Sequence, residues 1–511
     1  MNRTAVINVV GLTNVLIGEH TPRIRDFAAR GAKAVISPAF PAVTCTAQSS
    51  YLTGTPPSGH GVVGNGWYHR ELAEVQFWKQ SNHFVGGRRI WDELRDKYAI
   101  RYPKSGITKP FTCAKLFWWF NMYSGADYSI TPRPMYPADG RKFFDIYSWP
   151  FSIRDEIKRE LGEFPFATFW GPAAGTKSPA GEPDAASRWI AESAKWIENR
   201  FSPTLNLIYL PHLDYNLQRH GLFVADPKPT PGPSKEGSRP SDVRMQFPSW
   251  EGSGVGSAIN PTIIPDLHAI DDIVGGLIDF FRARGVQVVL LSEYGITNVS
   301  QPIHLNRIFR EQGWLTVKEE LGLELLDCGA SKVFAVADHQ VAHVYLNEPS
   351  IENRVRELLE NRDGVEAVLG KSEKAAAGID HPRAGDLIAV TEEHAWFTYY
   401  YWLEDARAPD FARTVDIHRK PGYDPAELFL DPKIRLPQLK IAWRLLQKKL
   451  GFRMLMDVIP LDATLVKGSH GRRPTNQNDW PLFITERREL LQSPQLEATD
   501  VYHALVRQVL H

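Results

Sequence analysis

The chain alternates short β-rich apolar runs with stretches of helical apolar periodicity, and this alternation limits the possible folds more than any other feature. Ala5-Val6-Ile7-Asn8-Val9-Val10-Gly11 reads as a buried first strand, followed by a helix that opens at Thr21-Pro22 and ends near Gly31. Ala34-Val35-Ile36 is a second short strand. Residues 204–210 and 286–291 are further β-rich runs, the latter preceded by a helical stretch from Ile270 to Arg284. The expected fold is therefore α/β, a doubly wound and mostly parallel sheet with its chemistry in loops beyond the carboxyl ends of the strands. A prior of about 150 residues per domain would divide the 511 residues into about three units. The periodic segments instead predict one large core, 1–331 and 401–511, with two additions. One is a Pro/Gly/Ser-rich insertion at 226–262, and the other is a small β-α-β appendage within 332–400.

Composition excludes several function classes. Lys and Arg number 59 and Asp and Glu 59, so the net charge of zero argues against a clamp on a nucleic acid polymer or a membrane held by bulk electrostatics. The three cysteines, Cys45, Cys113 and Cys328, are far apart and odd in number. They form neither a disulfide framework nor a CxxC zinc site and fit a reducing compartment. No apolar run reaches the roughly 18–20 residues of a spanning helix. The N-terminus reads as a strand rather than a signal segment, and a cytoplasmic location without a membrane span is expected.

The segment Pro38–Asn65, PAFPAVTCTAQSSYLTGTPPSGHGVVGN, is the most informative. It follows a strand with a Pro-rich turn and then Thr44 opening a helix. Leu52-Thr53-Gly54, Pro57 and His60-Gly61-Val62-Val63-Gly64-Asn65 come next. Taken alone, Thr44 is an ordinary helix cap. In this company the segment resembles the type I phosphodiesterase/nucleotide pyrophosphatase family of the alkaline phosphatase superfamily. The resemblance implies an alkaline phosphatase-like fold, two divalent ions, usually zinc, and Thr44 as nucleophile. The chemistry is consistent with that: a hydroxyl at a helix N-terminus sits where free N–H groups and the helix dipole favour a phosphate, although an alcohol still requires a metal or base.

The other family positions match unevenly. Where the family has a metal-binding Asp after its first strand, this chain has Val10. In Leu210-Pro211-His212-Leu213-Asp214-Tyr215-Asn216-Leu217-Gln218-Arg219-His220-Gly221 the resemblance keeps Asp214 as a ligand. Gln218 replaces a His, and His220 stands close by. Ser292-Glu293-Tyr294-Gly295 replaces Ser-Asp-His-Gly, while Gly468-Ser469-His470-Gly471 retains the last ligand, His470. Val10 and Tyr294 fall in one metal site and Asp214 and His470 in the other. One ion is therefore expected rather than two, held by Asp214 and His470 and completed by His220 or Gln218. It would be zinc by resemblance, or Mg or Mn if oxygen donors dominate. Glu293 is then a candidate general base for Thr44. The family's phosphoryl-binding Asn falls on Ala47, which makes Gln48 a candidate substitute alongside Asn65.

Further candidates have alternative readings. His339 and His343, at i and i+4, are structural or complete a rearranged metal site. Residues 416–424 are an anion loop or a solvated turn. Trp118 and Trp119 are core or pocket wall, and Arg133 or Lys142 would hold an anionic group on a substrate. The expected activity is metal-assisted hydrolysis of a small phosphate ester through a phosphothreonine. A phosphoryl transferase or mutase using the same nucleophile and a non-catalytic scaffold relative are the alternatives.

Overall fold

Thirteen strands carry the architecture. In chain order they are β1 (Thr4–Val9), β2 (Ala32–Ser37), β3 (Cys113–Leu116), β4 (Tyr128–Met135), β5 (Phe143–Trp149), β6 (Leu205–Leu210), β7 (Gln287–Leu291), β8 (Val333–Asp338), β9 (Val341–Leu346), β10 (Val365–Leu369), β11 (Leu387–Thr391), β12 (Leu482–Thr485) and β13 (Gln495–Glu497). Three helices matter below: α1 (Thr44–Thr53), α2 (His212–His220) and α3 (Pro437–Lys449). The computed structural model describes residues 1–102, 110–138, 141–224 and 258–511, so 226–257 of the expected insertion lie outside the described residues.

The main sheet has nine strands in the order β13-β2-β12-β7-β1-β6-β3-β4-β5. Its centre, β7-β1-β6-β3-β4, is parallel, β12 runs antiparallel between β7 and β2, and β5 is an antiparallel edge. Strands β1 and β6 are buried at every position, as expected of parallel strands covered on both faces. Helices pack on it in two groups. Residues 22–30, 152–161, 185–201 and 264–282 make one, and α1 with residues 90–101 and 500–510 makes the other. The fold is thus the expected α/β class.

The appendage is larger than a β-α-β unit. Strands β8-β9-β11-β10 form a four-stranded antiparallel sheet, and the expected strand–helix–strand is β9, the helix 352–360 and β10, with β11 inserted between the two strands. Its apolar faces are shared with the core. Val341 and Ile388 cluster with Phe40, Cys45, Val62 and Val63, and Phe334 and Tyr345 with Tyr68.

Register positions the site. Val9 lies opposite Leu210, and Asn8 opposite Leu291, so the three chain segments leave the sheet side by side. The Ser292 hydroxyl donates to the carbonyl of Leu12 (2.6 Å) and accepts from the N–H of Leu482 (2.8 Å). Tyr51 of α1 donates to the Ser292 carbonyl (2.9 Å). The turn is too close to its neighbours for a larger residue at Gly295, where a Cβ would lie 1.9 Å from the Asp479 carbonyl oxygen. Replacement Gly295→Ala is expected to destabilise the fold by about 3 kcal/mol. Chemical denaturation midpoints would measure it, and an unchanged midpoint would show that the Gln477–Asp479 turn yields freely.

Candidate active site

Thr44 is the first residue of α1, preceded by an extended Val43, and is buried with every other residue of that helix. The helix start is held by its neighbours. Cys45 N–H donates to Asn65 Oδ1 (3.0 Å), and the Asn65 amide and main-chain N–H donate to Asp338 (3.0 and 2.7 Å). Asn65 therefore ties α1 to the appendage, with its side-chain oxygen and nitrogen both engaged. Burial pushes Asp338 up to about 7 despite those hydrogen bonds.

A directed chain of hydrogen bonds runs from Thr44. Its hydroxyl lies 3.1 Å from the Tyr294 phenol, and Tyr294 donates to Asp214 Oδ1 (3.3 Å). A phenol has one proton, so Tyr294 accepts from Thr44, and the Thr44 lone pairs are left for other partners. Asp214 sits in the first turn of α2. One turn on, the Gln218 amide donates to its other oxygen (2.8 Å) and accepts from Tyr423 (3.1 Å). Burial pushes Asp214 up to about 7, against the pull of Gln218 and Tyr294.

His470 faces the same carboxylate. Its Nδ1 donates to the carbonyl of Ala42 (2.7 Å), so the proton is on that nitrogen and Nε2 is a bare acceptor 3.9 Å from Asp214 Oδ1. Burial holds His470 down at about 3, so it is neutral and makes no ion pair. Four rings stack in sequence: Tyr294 on His470 (3.6 Å between centroids), His470 on His339 (3.6 Å) and His339 on Tyr423 (3.7 Å). These rings line a cavity of about 50 Å³ with Thr44, Asp214 and the aromatic side chains of Trp78, Trp119, Trp170 and Tyr209. No Lys or Arg lines it among the described residues.

The remaining candidates separate. His339 occupies the two-residue turn between β8 and β9 with a φ of 64°, which delivers its ring to the cavity, whereas His343 lies on β9. The His343 Nε2–H donates to Val63 O (2.9 Å), and Nδ1 accepts from Gly385 N–H (3.1 Å). The turn between them breaks the shared face that i,i+4 spacing implies. His220 is exposed at the far end of α2. Six residues from Asp214 it lies about 120° round the helix, and Gln218, four residues away and about 40° round, takes the inner position. Trp118 is packed in the core while Trp119 lines the cavity, because the backbone reverses at Phe117 and Phe120, both with positive φ. The buried ammonium of Lys115 gathers the carbonyls of Trp119 and Phe120 (2.7 and 2.9 Å) and fixes that loop. Arg133 is exposed on β4, and Lys142 pairs with Asp416 (3.4 Å). In the 416–424 loop Lys420 is buried and satisfied by Asp424 and Glu427 (2.6 and 2.8 Å), and the loop contributes Ile417 and Tyr423 to the cavity wall. Tyr294 and Tyr423 are the residues that sequence reasoning did not assign. Both stand in loops it had marked, at a replaced ligand and a polar turn.

Glu293 is fully buried. Oε1 accepts from Asn8 (2.5 Å) and from Gln48, Oε2 has no partner among the described residues, and the Gln48 carbonyl accepts from Trp119 N–H (2.7 Å). Both ends of the Gln48 amide are thus engaged within the protein. Burial pushes Glu293 up to about 8, opposed by the hydrogen bonds from Gln48 and Asn8. A carboxyl with a raised folded pKa binds its proton more tightly when folded, so stability falls as pH rises from the ordinary carboxyl range toward 8. Glu293→Gln is expected to remove a loss of about 2 kcal/mol between pH 6 and pH 8. Unfolding curves across that range would measure it, and an equal slope in both proteins would place the pH dependence elsewhere.

Residues 4–424 match the model of the type I phosphodiesterase/nucleotide pyrophosphatase family. The chain belongs to that family. Its members are phosphodiesterase- and phosphatase-type hydrolases that depend on metal, typically zinc. No curated protein sequence matches the chain. Among solved structures it is similar to phosphonoacetate hydrolase from Sinorhizobium meliloti 1021 in complex with phosphonoformate, at 14% identity and a TM-score of 0.55, covering 100% of this chain and 96% of that one. It is also similar to murine ectonucleotide pyrophosphatase/phosphodiesterase 5, at 12% identity and TM-score 0.53, covering 99% and 95%. An inactive form of the murine protein in complex with AMP gives 13% identity, TM-score 0.52, and 100% and 95% coverage. These similarities establish an alkaline phosphatase-like fold.

A two-metal centre does not fit this chain. Val10 is apolar and buried, and the Tyr294 ring lies flat against His470. Among the described residues no three His, Cys, Asp or Glu side chains gather as a metal site. What remains is one carboxylate and one imidazole, Asp214 and His470, beside the Gln218 amide.

Proposed function

We propose that this chain hydrolyses a small phosphoester through a covalent phosphothreonine at Thr44, with one divalent ion at most. The observation that supports it is the directed chain Thr44–Tyr294–Asp214 at a helix N-terminus, opening on an aromatic-walled cavity. Thr44 attacks phosphorus with a free lone pair, its proton passes to Tyr294 as the Tyr294 proton passes to Asp214, and the bond from phosphorus to the leaving group breaks. The leaving-group oxygen takes a proton from water, the resulting hydroxide attacks phosphorus to release inorganic phosphate, and the Thr44 oxygen recovers its proton from Tyr294 as Asp214 returns one to Tyr294. Glu293, neutral below about pH 8, is a weaker candidate for the base than the Tyr294–Asp214 pair.

Asp214 and His470 would hold a single ion, and the Gln218 amide, engaged by Asp214 and Tyr423, orients the carboxylate. The imidazole has the arrangement of a metal ligand, its outer N–H on a carbonyl and its inner nitrogen bare. Such an ion would supply positive charge to phosphoryl oxygens in a cavity that no Lys or Arg among the described residues lines. The small volume and aromatic wall support a compact phosphate ester with a ring or apolar portion. Phosphonoformate and AMP, bound by the solved relatives, are sensible first probes.

A second reading, a phosphate-binding relative without turnover, draws on the absence of a lining cation and the reduced ligand set. The two readings are separable. Hydrolysis predicts phosphate release from a panel of small esters, lost by at least about 10³-fold in Thr44→Ala and lowered by about 10–100-fold in Tyr294→Phe. Elemental analysis is expected to find no more than one zinc, manganese or magnesium ion per chain, and none in His470→Ala. Turnover unchanged in Thr44→Ala would refute the nucleophile. No turnover with any ester and any of these metals would favour the binding protein. Phosphorylated alcohol without free phosphate would indicate a transferase.

A further inference from the structure

The α3 helix turns the wrong face to solvent. None of its residues is buried. Leu436, Leu439, Trp443, Leu446 and Leu450 follow a 3-4-3-4 spacing that aligns them in one stripe, and they are 62, 64, 58, 45 and 64% exposed. The opposite side faces the protein, where Lys440 and Arg444 pair with Asp457 (2.8 and 2.9 Å) and Ile441 packs beside Val458 and Ile459. A surface helix of a globular protein has the reverse polarity. Phe452, 66% exposed, extends the apolar stripe beyond Gly451.

The same segment is strongly basic. Between residues 433 and 456 there is no Asp or Glu. Besides Lys440 and Arg444, it carries Lys433, Arg435, Lys448, Lys449 and Arg453, none with a carboxylate partner among the described residues. Lys448 lies 5.8 Å from the ring of Phe143, a half-exposed residue of the edge strand β5.

We propose that α3 docks the protein on an anionic membrane surface, with the Leu436–Leu450 stripe and Phe452 inserted at the interface and the unpaired cations on lipid phosphates. Charge selects this occupant. Two-fold pairing with a second copy would set the same unpaired cations against one another. A protein that wraps an amphipathic helix requires it from several sides, and here one side is fixed by Asp457 and Ile441. A planar anionic surface requires only the side that is free, and leucines with a tryptophan between flanking cations are the composition that binds there. Net charge does not oppose this, because the attraction acts within about 10 Å of the segment.

The test is co-sedimentation of the full chain with vesicles of phosphatidylcholine alone and of phosphatidylcholine containing about a third phosphatidylglycerol. Binding to the anionic vesicles is expected to exceed that to neutral ones by about tenfold or more, and to weaken with added salt. The double variant Leu439→Ser/Trp443→Ser, and separately Lys448→Glu/Lys449→Glu, should each lower binding by about tenfold while leaving the unfolding midpoint unchanged, since these side chains are exposed. Failure to sediment with anionic vesicles would overturn the proposal, as would binding by both variants equal to that of the unaltered chain. Dimerisation in sedimentation velocity that Leu439→Ser/Trp443→Ser abolishes, without vesicle binding, would assign the face to a second copy instead. Saturable binding to an acidic helix-binding protein such as calmodulin, without vesicle binding, would assign it to a protein partner.

Discussion

In-register parallel pairing of β1 with β6 and β7 determines where every functional group can be. Because Val9 faces Leu210 and Asn8 faces Leu291, the segments beyond them start level with one another. Side chains from residues 10, 214 and 294 are thereby confined to one small region. Backbone hydrogen bonds bring in the remaining loops: Ala42 N–H donates to Gly471 O (2.7 Å), Gln340 N–H to His470 O (2.9 Å) and Lys467 N–H to Gln218 O (2.9 Å). The last of these joins α2 directly to the segment that carries His470. A site held by main-chain bonds between loops keeps its geometry when an individual side chain is exchanged, which is how Tyr294 can stand in a ligand's position without disrupting the fold.

That exchange changes the electrostatics of the site. With Val10 and Tyr294 in place of metal ligands, the three carboxyl groups nearby, Asp214, Glu293 and Asp338, are buried with no Lys or Arg among the described residues hydrogen-bonded to them. Desolvation raises all three, while amide and hydroxyl donors pull them partly back. The imidazoles respond in the opposite sense, so His339 and His470 are neutral and lie against each other with their rings tilted by 35°. The centre is therefore close to electrically neutral and ordered by stacking and directed hydrogen bonds. A phosphate entering it must find compensation from the α1 N-terminus or from an ion brought with it.

Much of the fold was legible in the sequence because its signals are local. Apolar runs of strand length beside helical periodicity gave the parallel core, and short motifs at strand ends marked the loops of Thr44, Asp214 and His470. The choices among neighbours were not legible. Gln218 rather than His220 faces Asp214 because of helical phase, a geometric fact obscured by the stronger ligand chemistry of His. His339 rather than His343 reaches the cavity because a two-residue turn intervenes, and Trp119 rather than Trp118 because the backbone takes positive φ on both sides of the pair. Residue type alone makes Gln48 and Asn65 candidates for facing a substrate, yet their hydrogen bonds go to Glu293, Trp119, Cys45 and Asp338. In each case tertiary packing, absent from any local pattern, made the selection.

Helix α3 shows the same limit in its electrostatics. A zero total charge excludes only binding that depends on the whole molecule's field, and that field is nearly irrelevant beyond about one Debye length. Seven Lys and Arg residues without an acid between 433 and 456 are offset in the sum by carboxylates elsewhere in the chain. They are not offset in space, since among the described residues Asp457 pairs with Lys440 and Arg444 alone. Those two pairs also rotate the helix, because anchoring Lys440 and Arg444 to the protein leaves Leu439, Trp443 and Leu446 facing outward. One aspartate thus determines both which cations remain free and which apolar residues are exposed beside them.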